Sequence, residues 1–116
     1  DCGIKILYGY EVEDMKASDI AYAILERTAG RKTYVTFDID CLDPSAAPGT
    51  GIPEFGGLTS RDVLTLIKST QDLSLVGLDV VEIAPPLDPS EATVFAGLKI
   101  IMEYIAVMAR KKQQKG

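Results

Sequence analysis

Apolar and polar positions fall in blocks that predict strands and helices in turn. Residues 4–8, Ile4-Lys5-Ile6-Leu7-Tyr8, read as a short strand. Ser18 with Asp19 then makes a helix start. Ile20, Ile24 and Leu25 form an apolar stripe along residues 18–29, and Gly30 is placed to end that helix. Residues 33–40 begin with a β-branched and aromatic run and predict the central strand. The next stretch, 41–58, has no periodicity and holds Pro44, Pro48 and Pro53 with Gly49, Gly51, Gly56 and Gly57. Each proline locks its own φ and restricts its neighbour, so the stretch is biased towards a fixed path. The alternative is a solvated linker. Thr59 followed by Asp62 resembles a capping box, and Val63, Leu66 and Ile67 face inward on a helix ending near Thr70. Residues 73–83 read as a third strand, apolar on both faces as a parallel strand covered by helices should be. A last helix starts near Ser90. Val94, Leu98, Ile101, Ile105 and Met108 step along one face of it, and a basic, polar tail expected to fray follows.

This order predicts a parallel sheet with helices on its faces. Three strands alone would leave two open edges and a thin core, so the sheet calls for more strands beside it. At 116 residues the chain is one domain at most. A net charge of −5 argues against a nucleic-acid surface or a membrane-surface helix; the acidity serves solubility. No apolar run is read as long enough to span a bilayer. Cys2 and Cys41 are far apart and form no CxxC, which suits reduced thiols in a cytoplasmic protein. The chain has no histidine, which excludes a Ser-His-Asp triad or an imidazole zinc site made by this chain alone.

The candidate chemistry sits at strand ends. Asp38 and Asp40 are two apart in the predicted central strand, so both should aim at the carboxyl edge of the sheet, where open α/β sheets bind ligands. Two acids there repel each other unless a cation neutralises them or one takes up a proton. Hard oxygen ligands suit Mg²⁺ or Mn²⁺. The alternative is a helix cap or a solvated loop acid. Asp43, before Pro44, reads as a turn residue capping nearby N–H groups. Glu82 closes the third strand and opens onto the same edge, where it could pair with a guanidinium in bidentate fashion; otherwise it is a solvent-facing acid. Asp79, inside that strand, reads as a structural acid with a partner of its own.

Phe37-Asp38-Ile39-Asp40-Cys41-Leu42-Asp43-Pro44, then 47–54 (Ala-Pro-Gly-Thr-Gly-Ile-Pro-Glu) and Gly56-Gly57-Leu58, resemble the signature block of the ureohydrolases, the family of arginase and agmatinase. Residues 78–85 resemble the family's later strand. The resemblance implies an α/β protein with a three-layer α/β/α fold around a parallel sheet. Residues 1–109 would be the C-terminal part of that domain and 110–116 a basic tail. It further implies two Mn²⁺ ions, hydrolysis of a guanidinium substrate to urea and an amine by a metal-bridging hydroxide, and assembly as a homo-oligomer, trimer or hexamer. Asp38 would bridge both metals, Asp40 would ligate one, and Glu82 would hold the substrate guanidinium. Pro48-Gly49-Thr50-Gly51 is more similar to agmatinase than to arginase. The family's histidine-bearing motifs are absent, so the chain alone should bind Mn²⁺ weakly and hydrolyse no guanidine. Ile52 stands where many members carry threonine, which removes a hydroxyl from beside the guanidinium pocket.

Two other readings compete. A phosphohydrolase of the haloacid-dehalogenase type also uses an aspartate pair at a strand end, with Mg²⁺ and Asp38 as nucleophile. A non-catalytic ureohydrolase module would only pack against partners through its open sheet edges.

Overall fold

The computed structural model describes residues 2–114. Its elements are α1 (Gly9–Val12), α2 (Ala17–Thr28), β1 (Lys32–Asp38), α3 (Ser60–Ser69), β2 (Ser74–Val81) and α4 (Ala92–Gln114). Short 3-10 turns at Ile39–Cys41 and Pro85–Leu87 follow the two strands. β1 and β2 pair in parallel from Lys32↔Ser74 to Asp38↔Val81, with one irregularity between Thr33 and Tyr34.

The two strands bury one face. Phe37 of β1 packs with Ile39, Leu42 and Ala47 of the following loop, Val63 and Ile67 of α3, and Ile100 and Tyr104 of α4. α2 packs on α3. On the opposite face Tyr34, Thr36 and Asp38 are exposed. The described residues therefore form two layers of the expected three.

Residues 4–8, expected as a strand, are not one. Ile4 is 73 % exposed and Ile6 55 %, and the chain turns into α1 at Gly9. Alternation makes a strand only where a neighbour completes the hydrogen-bond ladder, and among the described residues nothing pairs with this segment. Just before it, the Gly3 carbonyl accepts from the Arg27 guanidinium.

The last helix departs from three further expectations. Val94, Leu98, Ile101, Ile105 and Met108 are all exposed. The face turned to the core holds Thr93, Gly97, Ile100 and Tyr104, with Val107 and Lys111 half-buried. Both ladders step by the same intervals, one residue out of phase, and the chosen one is marked by a small residue. A Cβ at Gly97 would lie 2.5 Å from Ile83 Cδ1, so the small residue lets this face of α4 sit close against the chain that follows β2. The same helix, over Ala92–Gln113, is long and apolar enough to cross a membrane by length and composition, with a mean hydropathy of 1.6. The sequence reading missed this because Lys99 and Glu103 interrupt the run; one turn apart, they pair with each other. The helix also continues to Gln114, through the start of the expected tail, and Lys111 Nζ donates to the carbonyls of Asp72 (2.9 Å) and Leu73 (2.8 Å). Lys115 and Gly116 lie outside the described residues.

The loop from Leu42 to Leu58 follows a fixed path. Leu58 N donates to the Cys41 carbonyl at 2.9 Å and Asp43 N to the Leu58 carbonyl at 3.0 Å. Asp43 accepts from Ser45 N at 2.9 Å and from Gly56 N at 3.0 Å, the turn-capping role its place before Pro44 implies. Gly57 threads beneath this closure, where a Cβ would meet Cys41 O at 2.7 Å and Asp43 N at 2.8 Å. The far side of the loop is tied to α4. Gly49 N donates to Thr93 Oγ1 at 2.7 Å, and Thr93 N donates to Asp88 Oδ2 at 2.7 Å. Asp88 is buried and also accepts from the Ser90 hydroxyl at 2.6 Å. These bonds, that of Ser90 first, hold its carboxyl down from the ordinary 3.8 to about 2.

Two outcomes follow from this anchoring. Gly57→Ala drives a methyl into backbone that cannot yield, and urea denaturation of the chain should show a loss of about 1–3 kcal/mol. Asp88 is more acidic folded than unfolded, so its contribution is complete above the unfolded value of 3.8 and is lost as pH falls through about 2. In an acid titration followed by far-UV circular dichroism, Asp88→Asn should flatten the fall in stability between those two values.

Candidate metal and substrate site

β1 ends at Asp38, not at Asp40. Asp38 Oδ1 accepts from Asp40 N at 3.2 Å, and this cap turns the chain into the 3-10 turn Ile39–Cys41, closed by Leu42 N to the Ile39 carbonyl at 3.2 Å. Strand alternation therefore does not place Asp40; the cap does. Ile39 is driven into the core by the same turn and is fully buried. The two carboxyls still meet. Asp40 is raised above its ordinary 3.8, first by partial burial, then by a hydrogen bond with the Asp38 carboxyl, then by the charges of Asp38, Glu82 and Glu54.

Glu82 follows Val81, the register partner of Asp38, so the acids stand at the carboxyl ends of neighbouring parallel strands. Its backbone is left-handed, with φ +63. For a residue with a Cβ that conformation costs roughly 1–2 kcal/mol. Strain of this kind collects where a side chain must be aimed rather than where the chain is comfortable.

Glu54 is the acid that the sequence reading passed over. It lies in the loop and reaches Asp40 only because the loop folds back through the Cys41–Leu58 closure, which no local spacing announces. Cys41 lies beside the acids, but burial, with Asp38 and Asp40 adding to it, pushes its thiol up to about 11. In the absence of a metal it stays protonated near neutral pH. Ile52 is 77 % exposed on the same loop.

Asp79 finds the partners expected of it. Its carboxylate accepts from Tyr34 OH at 2.8 Å and from Thr36 Oγ1 at 2.6 Å. These bonds lower its pKa, Thr36 contributing most, and raise that of the Tyr34 phenol.

The donor set suits a hard divalent cation. It consists of carboxylate oxygens whose mutual repulsion already lifts Asp40, and a cation would relieve that repulsion. It is a partial set. Among the described residues no group of three or more metal-ligating side chains is close enough to hold an ion alone.

A family model described as Arginase family matches residues 1–106. An agmatinase of Photorhabdus laumondii is 45 % identical over 113 residues, 97 % of this chain. The chain spans 37 % of that relative's length. The crystal structure of a hypothetical agmatinase from Burkholderia thailandensis superposes with a TM-score of 0.91 at 38 % identity, over 97 % of this chain and 36 % of that one. Proclavaminate amidino hydrolase from Streptomyces clavuligerus gives 0.88 at 38 % identity, over 93 % of this chain and 37 % of its own. The carboxyl-edge acids thus lie within a segment that these proteins share from end to end, and the chain belongs to the arginase family.

Proposed function

We propose that this chain is the part of a manganese-dependent ureohydrolase that supplies two metal-binding carboxylates and the acid that grips the substrate guanidinium. The observation that supports it most is the meeting of Asp38, Asp40 and Glu82 at one end of a parallel strand pair, within a family match over residues 1–106. The substrate is agmatine-like, and the products are urea and an amine. The family match removes the ground for a haloacid-dehalogenase reading, with Asp38 as a nucleophile. The free thiols at Cys2 and Cys41 suit a reducing cytoplasm.

In this reading Asp38 and Asp40 hold the metal. Manganese, when bound, supplies ionised water near neutral pH. The cap from Asp40 N fixes one oxygen of Asp38 and so orients its carboxylate. Glu82, aimed by its left-handed backbone, pairs with the planar guanidinium and holds it in line for attack. The loop carrying Glu54 adds negative charge on the same side, which favours a cationic substrate.

Having two carboxylates and no histidine, the chain by itself should lose Mn²⁺ on dialysis and release no urea. Placed in the Photorhabdus laumondii relative in exchange for the matching segment, it should support manganese-dependent urea release from agmatine. A folded, manganese-loaded chimera that releases none would overturn the proposal. In that chimera Glu82→Gln removes one charge-assisted pair, worth about 1.5–3 kcal/mol. It should lower kcat/KM by roughly 10- to 100-fold with manganese content unchanged. Asp38→Ala should instead empty at least one metal position, read by metal analysis.

A further inference from the structure

We propose that Asp79 is a positioning residue, clamping β1 to β2 so that Asp38 and Glu82 keep their relative placement. The inference rests on the ureohydrolase role given to those two acids. Asp79 is the register partner of Thr36, one face-step short of Asp38↔Val81. Its two oxygens take one hydroxyl each from β1, Thr36 Oγ1 on Oδ1 and Tyr34 OH on Oδ2. Tyr34, Thr36 and Asp38 form a single row on the exposed face of the sheet.

The clamp sits where the pairing is most open to error. Thr33 pairs with Leu75 but Tyr34 with Gly77, so Val76 is an extra residue opposite the irregularity. Beyond such a bulge the strands need something to choose the register, because a slip of one residue turns every following side chain to the other face. Here the slip would move the partner of Asp38 off Val81 and carry Glu82 away with it. Tyr34 lies across Gly77, where a Cβ would come within 2.6 Å of the ring, and its hydroxyl then reaches the carboxylate two residues on. Any other residue at 77 would lift the ring. Sheet stability alone does not explain an aspartate here, since that residue is depleted in strands and a valine would serve the strand better. It is explained by a need for two directional acceptors at this point.

Native-state hydrogen exchange on the chain tests the clamp without metal or substrate. Tyr34→Phe with Thr36→Val keeps both shapes and removes both hydroxyls. Exchange should quicken roughly tenfold at the amides of Asp40, Val81 and Glu82 and stay unchanged in α3 and α4, as local opening requires. Thr36→Ser should behave as the parent does. No change, or an equal rise through α3 and α4, would overturn the clamp by showing respectively no effect or a merely global one. The chimera gives a second reading. There the double substitution should lower kcat roughly tenfold at saturating Mn²⁺ and agmatine, and Thr36→Ser alone should leave it unchanged. Unchanged kcat would also count against the clamp. Failure of the unsubstituted chimera to release urea would count against the ureohydrolase role, while the exchange pattern would still decide whether the strands are clamped.

Discussion

Like charges are forced together at one end of two parallel strands, and the rest of the molecule is arranged to bear that. Asp40, raised first by its partial burial, is lifted further by its hydrogen bond with Asp38 and by the charges of Asp38, Glu82 and Glu54. Left to themselves, such groups would part. They are kept in place by backbone bonds. Asp38 is pinned by Asp40 N, the loop carrying Glu54 is closed on Cys41 and Asp43, and Glu82 is fixed at the end of a strand whose partner is β1. The buried cluster of Phe37, Ile39, Leu42, Val63 and Ile67 lies directly beneath and supplies the stability this crowding consumes.

The loop 42–58 shows how the load is shared. Asp43 closes it at one side and Thr93 holds it at the other, with Asp88 behind. Asp43 and Asp88 each accept two or more N–H or O–H bonds, whereas Asp40 meets other carboxylates. The same residue type thus stands in two settings, and the hydrogen-bond partners tell them apart. The carboxylates that accept several N–H or O–H bonds are shifted down, and the one that meets other carboxylates is shifted up.

What could be read in the sequence was what local chemistry decides. The capping box of Thr59 and Asp62, the inward Val63 and Ile67 and the turn role of Asp43 came from neighbours within a few residues, and the parallel strand pair from the alternation of strands and helices along the chain. What could not be read depended on distant parts. Residues 4–8 have the pattern of a strand, but a ladder needs a second strand. On α4 the more apolar ladder, Val94 to Met108, stays exposed, and the one that turns inward carries Thr93 and Gly97, whose contacts with Gly49 and Ile83 lie far along the chain. Asp40 reached the site through a cap rather than by strand alternation, and Glu54 through a chain reversal.

The twisted backbone at Glu82 carries a further meaning. A glycine would sit at φ +63 without complaint, and a single-base change in a glutamate codon produces one. On the guanidinium-binding role proposed for Glu82, copies of this gene that no longer bound that substrate would be drawn by that relief and would lose the carboxylate early. A glutamate kept against the grain of its own main chain is therefore a gauge of use: across diverging lineages, the side chain at 82 would separate working sites from relics before the surrounding loop had decayed.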